Sequence, residues 1–127
     1  MPEVLIVDDD PDVRSLLVFT LSDAGFEVRE ARDGAHALDE LRAGAPDCML
    51  LDLMMPGVDG FGVLEAMRAE GLAPTTRVVI LTCKAEEASL VRGRELGADE
   101  YLTKPTDPLL LTLKISALVE STPTAFR

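Results

Sequence analysis

Five short runs of β-branched and aliphatic residues recur along the chain, and stretches of helical period fill the gaps between them. This alternation constrains the fold more than any other feature. A strand that is apolar on consecutive residues must be buried on both faces, and a helix between two such strands returns the chain so that they run parallel. The runs are EVLIVD (3–8), FEVREA (26–31), DCMLLD (47–52), TRVVILT (76–82) and DEYLTK (99–104). After the first, Asp10 reads as an N-cap with Pro11 at the first helical position, and Val13, Leu16, Leu17, Thr20, Leu21 and Ala24 follow at helical spacing up to Gly25. Asp33 can cap a second helix carrying Leu38 and Leu41, which Gly44 and Pro46 end, and Asp59 a third carrying Phe61, Leu64 and Met67, which Gly71 ends. Residues 85–96 predict a thinner fourth helix with Ala88, Val91 and Leu96 as its stripe. Gly93 lies in its interior at a cost of about 1 kcal/mol relative to Ala. Glu86 and Glu87 compensate the dipole of its first turn, and Gly97 ends it. Pro105 and Pro108 then lead into a last, leucine-rich helix.

A chain of 127 residues without a break in composition predicts one compact domain. The formal net charge of -11 repels nucleic acid and anionic membrane surfaces, so protein partners or cations are expected. No apolar run approaches the length of a bilayer span, and Glu3 stands where a secretory signal would be basic, which predicts a cytoplasmic protein. Cys48 and Cys83 sit in apolar, strand-like runs and read as buried free thiols. His36, the one histidine, falls on the second helix and reads as a surface residue.

The chemistry lies at the ends of the runs. Asp8 and Asp9 follow the first, Asp52 the third, Thr82 the fourth and Lys104 the fifth. In a parallel sheet these carboxyl ends form one rim, where ligands bind. Asp52 cannot be explained as a helix cap, because no helix starts within several residues and Pro56 intervenes. Three carboxylates brought close together stay ionised only if a cation joins them, and a hard divalent ion such as Mg²⁺, with the Lys104 ammonium beside it, serves that need. The same site would accept a dianionic phosphoryl group, with Thr82 donating to one of its oxygens and Asp52 as in-line nucleophile.

The residues that carry this reading, VDDD, LLDLMMPGVDG, ILTCK and YLTKP in that order, make the chain resemble the receiver domain of bacterial two-component response regulators, from residue 3 to about 120. The resemblance implies a flavodoxin-like α/β three-layer sandwich, a five-stranded parallel sheet in order 2-1-3-4-5 with five helices. Residues 1–121 would be the receiver domain and 122–127, with Phe126, a C-terminal tail or the start of a linker. It implies a signalling switch that takes a phosphoryl group from a partner sensor histidine kinase, or from a phosphotransfer protein, onto Asp52. The switch catalyses its own phosphorylation and hydrolysis and is not an enzyme for a separate substrate. Mg²⁺ would be held by Asp9 directly, by Asp8 largely through water, by Asp52 and by the Met54 carbonyl. Thr82 and Tyr101 would be the switch pair, and the Lys104–Pro105 bond would be cis.

Other positions give this chain its own character. Met54, Cys83 and Lys84 flank the path of an attacking water and are expected to modulate access, with Cys83 an inert space-filler. The face of the fourth helix, fifth strand and last helix, where many relatives dimerise through charged pairs, offers Arg92, Asp99 and Lys114. Leu110 replaces the usual acid there. Leu109 to Leu111 and Leu113 exceed one buried stripe, which predicts a homodimer or effector contact on that face. A scaffold that has lost phosphorylation is disfavoured by the intact Asp9, Asp52, Thr82 and Lys104. A flavin carrier is disfavoured by the acids of DDDPD, and an aspartyl-phosphate phosphatase by Met54 standing where a second acid is expected.

Overall fold

The computed structural model describes residues 1–120; the STPTAFR tail with Phe126 lies outside the described residues. Five strands and five helices alternate: β1 Glu3–Val7, α1 Pro11–Asp23, β2 Glu27–Ala31, α2 Gly34–Ala43, β3 Cys48–Leu51, α3 Gly60–Glu70, β4 Arg77–Thr82, α4 Glu87–Glu95, β5 Glu100–Thr103 and α5 Pro108–Glu120. The sheet is parallel throughout in the order β2-β1-β3-β4-β5. This is the expected α/β sandwich, with two apolar layers that follow the alternation of side chains along each strand. Leu5, Val7, Met49, Leu51, Val78 and Ile80 pack under α2, α3 and α4, whereas Val4, Ile6, Leu50, Val79 and Leu81 pack under α1 and α5.

The caps follow the residue types that predict them. Asp10 Oδ1 accepts from the N–H groups of Asp12 and Val13 at 2.9 and 3.3 Å, Asp33 from His36, and Asp59 from Gly62. α4 differs from its expectation. Its buried residues are Ser89 and Gly93, with Leu90 and Leu96 partly buried, while Ala88 and Val91 are exposed. The helix begins two residues later than expected and turns a different side to the sheet. Gly93 is what permits that side to approach, because a Cβ there would lie 2.7 Å from Ile80 Cδ1. On α1, Leu17 and Leu21 are buried but Leu16 is exposed. Cys48 is buried as expected. Cys83 is not: it lies one residue beyond the end of β4, where the strand's burial ceases, and is exposed. His36 is half-buried, and its Nδ1 accepts from the Arg32 N–H at 3.2 Å.

Among the described residues no helix is long and apolar enough to cross a membrane.

Candidate functional site

Register places the site. Val7 stands opposite Leu51 and Ala31, so the residues that follow β1 and β3 emerge side by side; the Asp52 N–H donates to the Val7 carbonyl at 3.0 Å. Thr82 stands opposite Thr103, and the Lys104 N–H donates to the Thr82 carbonyl at 2.8 Å. The β1–β3 and β4–β5 pairings thus deliver Asp8, Asp9, Asp52, Thr82 and Lys104 to one rim.

The three acids converge, with one carboxylate oxygen from each of Asp8, Asp9 and Asp52 within 4.8 Å of the others. Asp8 and Asp52 are buried and Asp9 is exposed. Lys104 joins the buried pair, its Nζ 2.6 Å from Asp8 Oδ2 and 3.1 Å from Asp52 Oδ2. The remaining oxygens are held by the main chain: the Asp10 N–H donates to Asp8 Oδ1 at 2.9 Å and the Met54 N–H to Asp52 Oδ1 at 3.1 Å. Burial raises the Asp8 pKa, against the opposing pull of the Lys104 ammonium. Burial pulls Lys104 down, but its hydrogen bonds and proximity to Asp8 and Asp52 outweigh that and raise it. One ammonium among three carboxylates leaves the cluster net negative. Hard oxygen donors with an uncompensated charge suit a small divalent cation such as Mg²⁺, and the donor set therefore fits the ion that the sequence implies.

Behind the acids, Thr82 is fully buried and its Oγ1 accepts from the Lys84 N–H at 3.3 Å. Tyr101 is buried, and its hydroxyl donates to the Lys84 carbonyl. Burial raises its pKa. The main chain of Lys84 thus bonds to both Thr82 and Tyr101. Met54 (55% exposed) and Cys83 stand on the open side of the rim, and Lys84 is half-buried beside them. The Lys104–Pro105 peptide bond is cis.

Some contributors are absent from the residues singled out by sequence. Arg14 Nη1 donates to the Asp8 carbonyl at 2.9 Å and steadies the end of β1. The available signal was its spacing, since Arg14, Leu17 and Leu21 share the inward stripe of α1 and a charge there needs a partner. Gly60, the first residue of α3, packs against the Asp52 and Leu53 main chain so closely that a Cβ would lie 2.7 Å from Leu53 Cα. The charged residues of the outer face find partners within the chain: Arg92 pairs with Glu65 at 3.0 Å, Asp99 with Arg77 at 3.3 Å and Lys114 with Glu100 at 3.5 Å. Leu109, Leu110 and Leu113 are exposed.

Comparison with known proteins places this geometry among relatives. The profile of the family described as "Response regulator receiver domain" matches residues 4–116. The phosphate regulon transcriptional regulatory protein PhoB of Escherichia coli is 38% identical over 116 residues, which cover 91% of this chain and 51% of PhoB. The DNA-binding response regulator MtrA of Mycolicibacterium smegmatis is 40% identical over 114 residues, 90% of this chain and 49% of MtrA. The chain thus spans about half the length of the curated relatives it matches. Among solved structures, the chemotaxis protein CheY4 of Vibrio cholerae superposes with a TM-score of 0.86 at 32% identity, covering 93% of this chain and 98% of CheY4. The response regulator TrrA of Thermotoga maritima, solved in complex with Mg²⁺ and BeF, gives a TM-score of 0.82 at 31% identity, covering 93% and 99% of the two chains.

Proposed function

The chain belongs to the response regulator receiver domain family, and on that premise we propose that it is a phosphorylation-controlled switch whose phosphoacceptor is Asp52. The observation that carries this reading is the bridge from Lys104 to the buried carboxylates of Asp8 and Asp52, with Asp9 completing the cluster. Nothing in the packing of the sheet requires three acids and a lysine to share one rim.

In this reading Asp8, Asp9, Asp52 and the Met54 carbonyl hold Mg²⁺, which when bound neutralises charge on the phosphoryl oxygens. An Asp52 carboxylate oxygen attacks the phosphorus of a phosphohistidine carried by a sensor histidine kinase or phosphotransfer protein. A P–O bond forms, the P–N bond breaks, and the imidazole leaves with a proton from solvent. Lys104 stabilises the charge gathering on the phosphoryl oxygens. The Thr82 hydroxyl already accepts from Lys84, so its own proton is available for a phosphoryl oxygen on Asp52. That new bond draws Thr82 toward the rim and moves the Lys84 peptide, and through it Tyr101 and the surface of α4, β5 and α5. Hydrolysis reverses the change. Met54, Cys83 and Lys84 border the approach of water to Asp52 and set the lifetime of the phosphoryl group. The exposed Leu110 and Leu113 are the contact for a second copy or an effector. We place the switch in the cytoplasm with no direct contact to nucleic acid, in keeping with its net charge of -11.

The test is intact mass after incubation with phosphoramidate, with and without Mg²⁺, beside an Asp52→Asn variant. A single Mg²⁺-dependent phosphoryl adduct that the variant lacks is expected. A folded wild type that binds Mg²⁺ and takes up no phosphoryl group would overturn the proposal in favour of a fixed scaffold.

A further inference from the structure

We propose that Gly93 is a positioning residue of the switch: the missing side chain in the middle of α4 is what gives the Tyr101 ring its inward seat against β4. This inference rests on the reading of Thr82 and Tyr101 as the coupled pair. A glycine inside a helix ordinarily costs about 1 kcal/mol relative to alanine, and α4 has little intrinsic stability to spare. The helix is nine residues long, the side chain of its N-cap Glu86 accepts from the Ser89 hydroxyl but caps no main-chain N–H of the first turn, and only Ser89 and Gly93 are buried within it. Retaining a glycine there requires a reason in the packing.

The contacts supply one. A Cβ on Gly93 would stand 2.7 Å from Ile80 Cδ1, and 3.4 and 3.6 Å from Cδ2 and Cε2 of the Tyr101 ring. Ile80 is fully buried, stands opposite Tyr101 in the β4–β5 register and shares its apolar cluster, so its terminal methyl has no solvent to retreat into. α4 also makes contacts to α3. Arg68 on α3 donates to the Glu95 carbonyl at 2.7 Å, and Arg92 on α4 pairs with Glu65 at 3.0 Å and lies 4.4 Å from the centre of the Phe61 ring. The ring itself stands at ordinary contact distance from such a Cβ, so the overlap falls on Ile80 and reaches the Tyr101 ring through Ile80, its partner in the β4–β5 register. A methyl group at position 93 turns the ring outward and breaks its bond to the Lys84 carbonyl, while leaving Asp8, Asp9, Asp52 and Lys104 in place.

The experiment uses a property of the composition: the chain has one tyrosine and no tryptophan, so its intrinsic fluorescence reports Tyr101 alone. Acrylamide quenching is measured for the wild type, Gly93→Ala, Ile80→Val and the double variant, with folding checked by circular dichroism. Gly93→Ala is expected to raise the quenching constant severalfold. Ile80→Val, which deletes the atom nearest the added methyl, is expected to restore the wild-type value in the double variant. If Gly93 is only a tolerated helix glycine, Gly93→Ala stabilises α4 and leaves quenching unchanged, and the inference falls. It falls equally if quenching rises but Ile80→Val does not reverse it. Should Gly93→Ala fail to fold, recovery of the fold in the double variant supports the seat, and persistent failure overturns it. Phosphoramidate and Mg²⁺ are then added to the same samples. A wild-type Tyr101 signal indifferent to an Asp52 adduct would remove the switch reading while leaving the seat standing, so the two failures are distinguishable.

Discussion

Replacing Lys104 by methionine tests the electrostatics of the site most directly. Methionine keeps much of the apolar stem and removes the ammonium that lies 2.6 Å from Asp8 and 3.1 Å from Asp52. The Asp8 and Asp52 side chains are only 3% and 8% exposed, so water compensates their charge only in part. Carboxylate oxygens of the cluster lie within 4.8 Å of one another, and two like charges at that distance repel by about 3.5 kcal/mol at an effective dielectric of about 20. Breaking a buried ion pair by removing one partner costs about 3–5 kcal/mol. Total stabilities of about 5–15 kcal/mol make that a large fraction. The assay is urea unfolding at neutral pH, in EDTA and in excess Mg²⁺, for wild type and Lys104→Met. In EDTA the variant is expected to lose about 3 kcal/mol or more, and the gap should narrow when Mg²⁺ restores positive charge to the cluster. If lysine contributed only the packing of its stem, the gap would be the same in both buffers. A gap that Mg²⁺ does not change, or one below about 1 kcal/mol in EDTA, refutes the electrostatic argument.

Three further outcomes follow from the same geometry. Burial pushes the Cys48 thiol up to about 12 while Cys83 is exposed; against the inert Cys83 expected from the sequence, Ellman's reagent at about pH 8 should modify one thiol in the native protein and both after unfolding, and Cys83→Ser should abolish the native reaction. The raised Asp8 pKa favours the protonated acid in the folded state, so its ionisation at neutral pH opposes folding. Measured against Asp8→Asn in EDTA, the relative stability of the wild type should rise as the pH falls from 7 through the folded pKa of Asp8, and a fall over that window would contradict the sign. Gly60→Ala should cost about 1–3 kcal/mol in urea unfolding and weaken Mg²⁺ binding, because the added Cβ meets the main chain of Asp52 and Leu53 as well as the end of the Leu53 side chain, and the main chain cannot turn aside.

The parallel sheet and the rim were legible because each depends on features local to a strand, an apolar run long enough to be buried on both faces and the residue that ends it, whereas the strand order came only with the family resemblance. Asp8, Asp52, Thr82 and Lys104 could be placed from those two facts once the strands were taken as parallel. α4 was harder to read. Its sequence is too polar to define a stripe, and the side it buries is chosen by how closely Gly93 can approach Ile80, a tertiary fact with no periodic signature. Cys83 illustrates the same limit at a strand end, since one residue beyond Thr82 the burial pattern stops and nothing in the run ILTCK marks the point. The main-chain bonds of Lys84 to Thr82 and Tyr101 were also out of reach, because a peptide group carries no residue-specific signal.

The outer face shows how internal pairing limits which contacts a partner can make. Arg92, Asp99 and Lys114 stand where charged pairs between copies are expected, yet each is already paired within the chain. The three pairs are not equivalent. Arg92–Glu65 is about half exposed and Lys114–Glu100 about a third exposed, so each contributes roughly 0–1 kcal/mol and can be exchanged for an intermolecular partner at little cost. Asp99 cannot be exchanged in this way: its pair with Arg77 is largely closed to solvent, and its second oxygen accepts from the Val78 N–H at 2.8 Å, so drawing it outward would break a buried ion pair and a main-chain hydrogen bond at the start of β4 together. A contact on this face must therefore be led by the exposed Leu110 and Leu113, with Arg92 and Lys114 as exchangeable charges at its edge and Asp99 confined to the interior. Leu110→Lys should abolish any phosphorylation-dependent association seen by light scattering, whereas Arg92→Ala should only weaken it; association that survives Leu110→Lys but is lost with Arg92→Ala would show that charge pairing leads the contact after all.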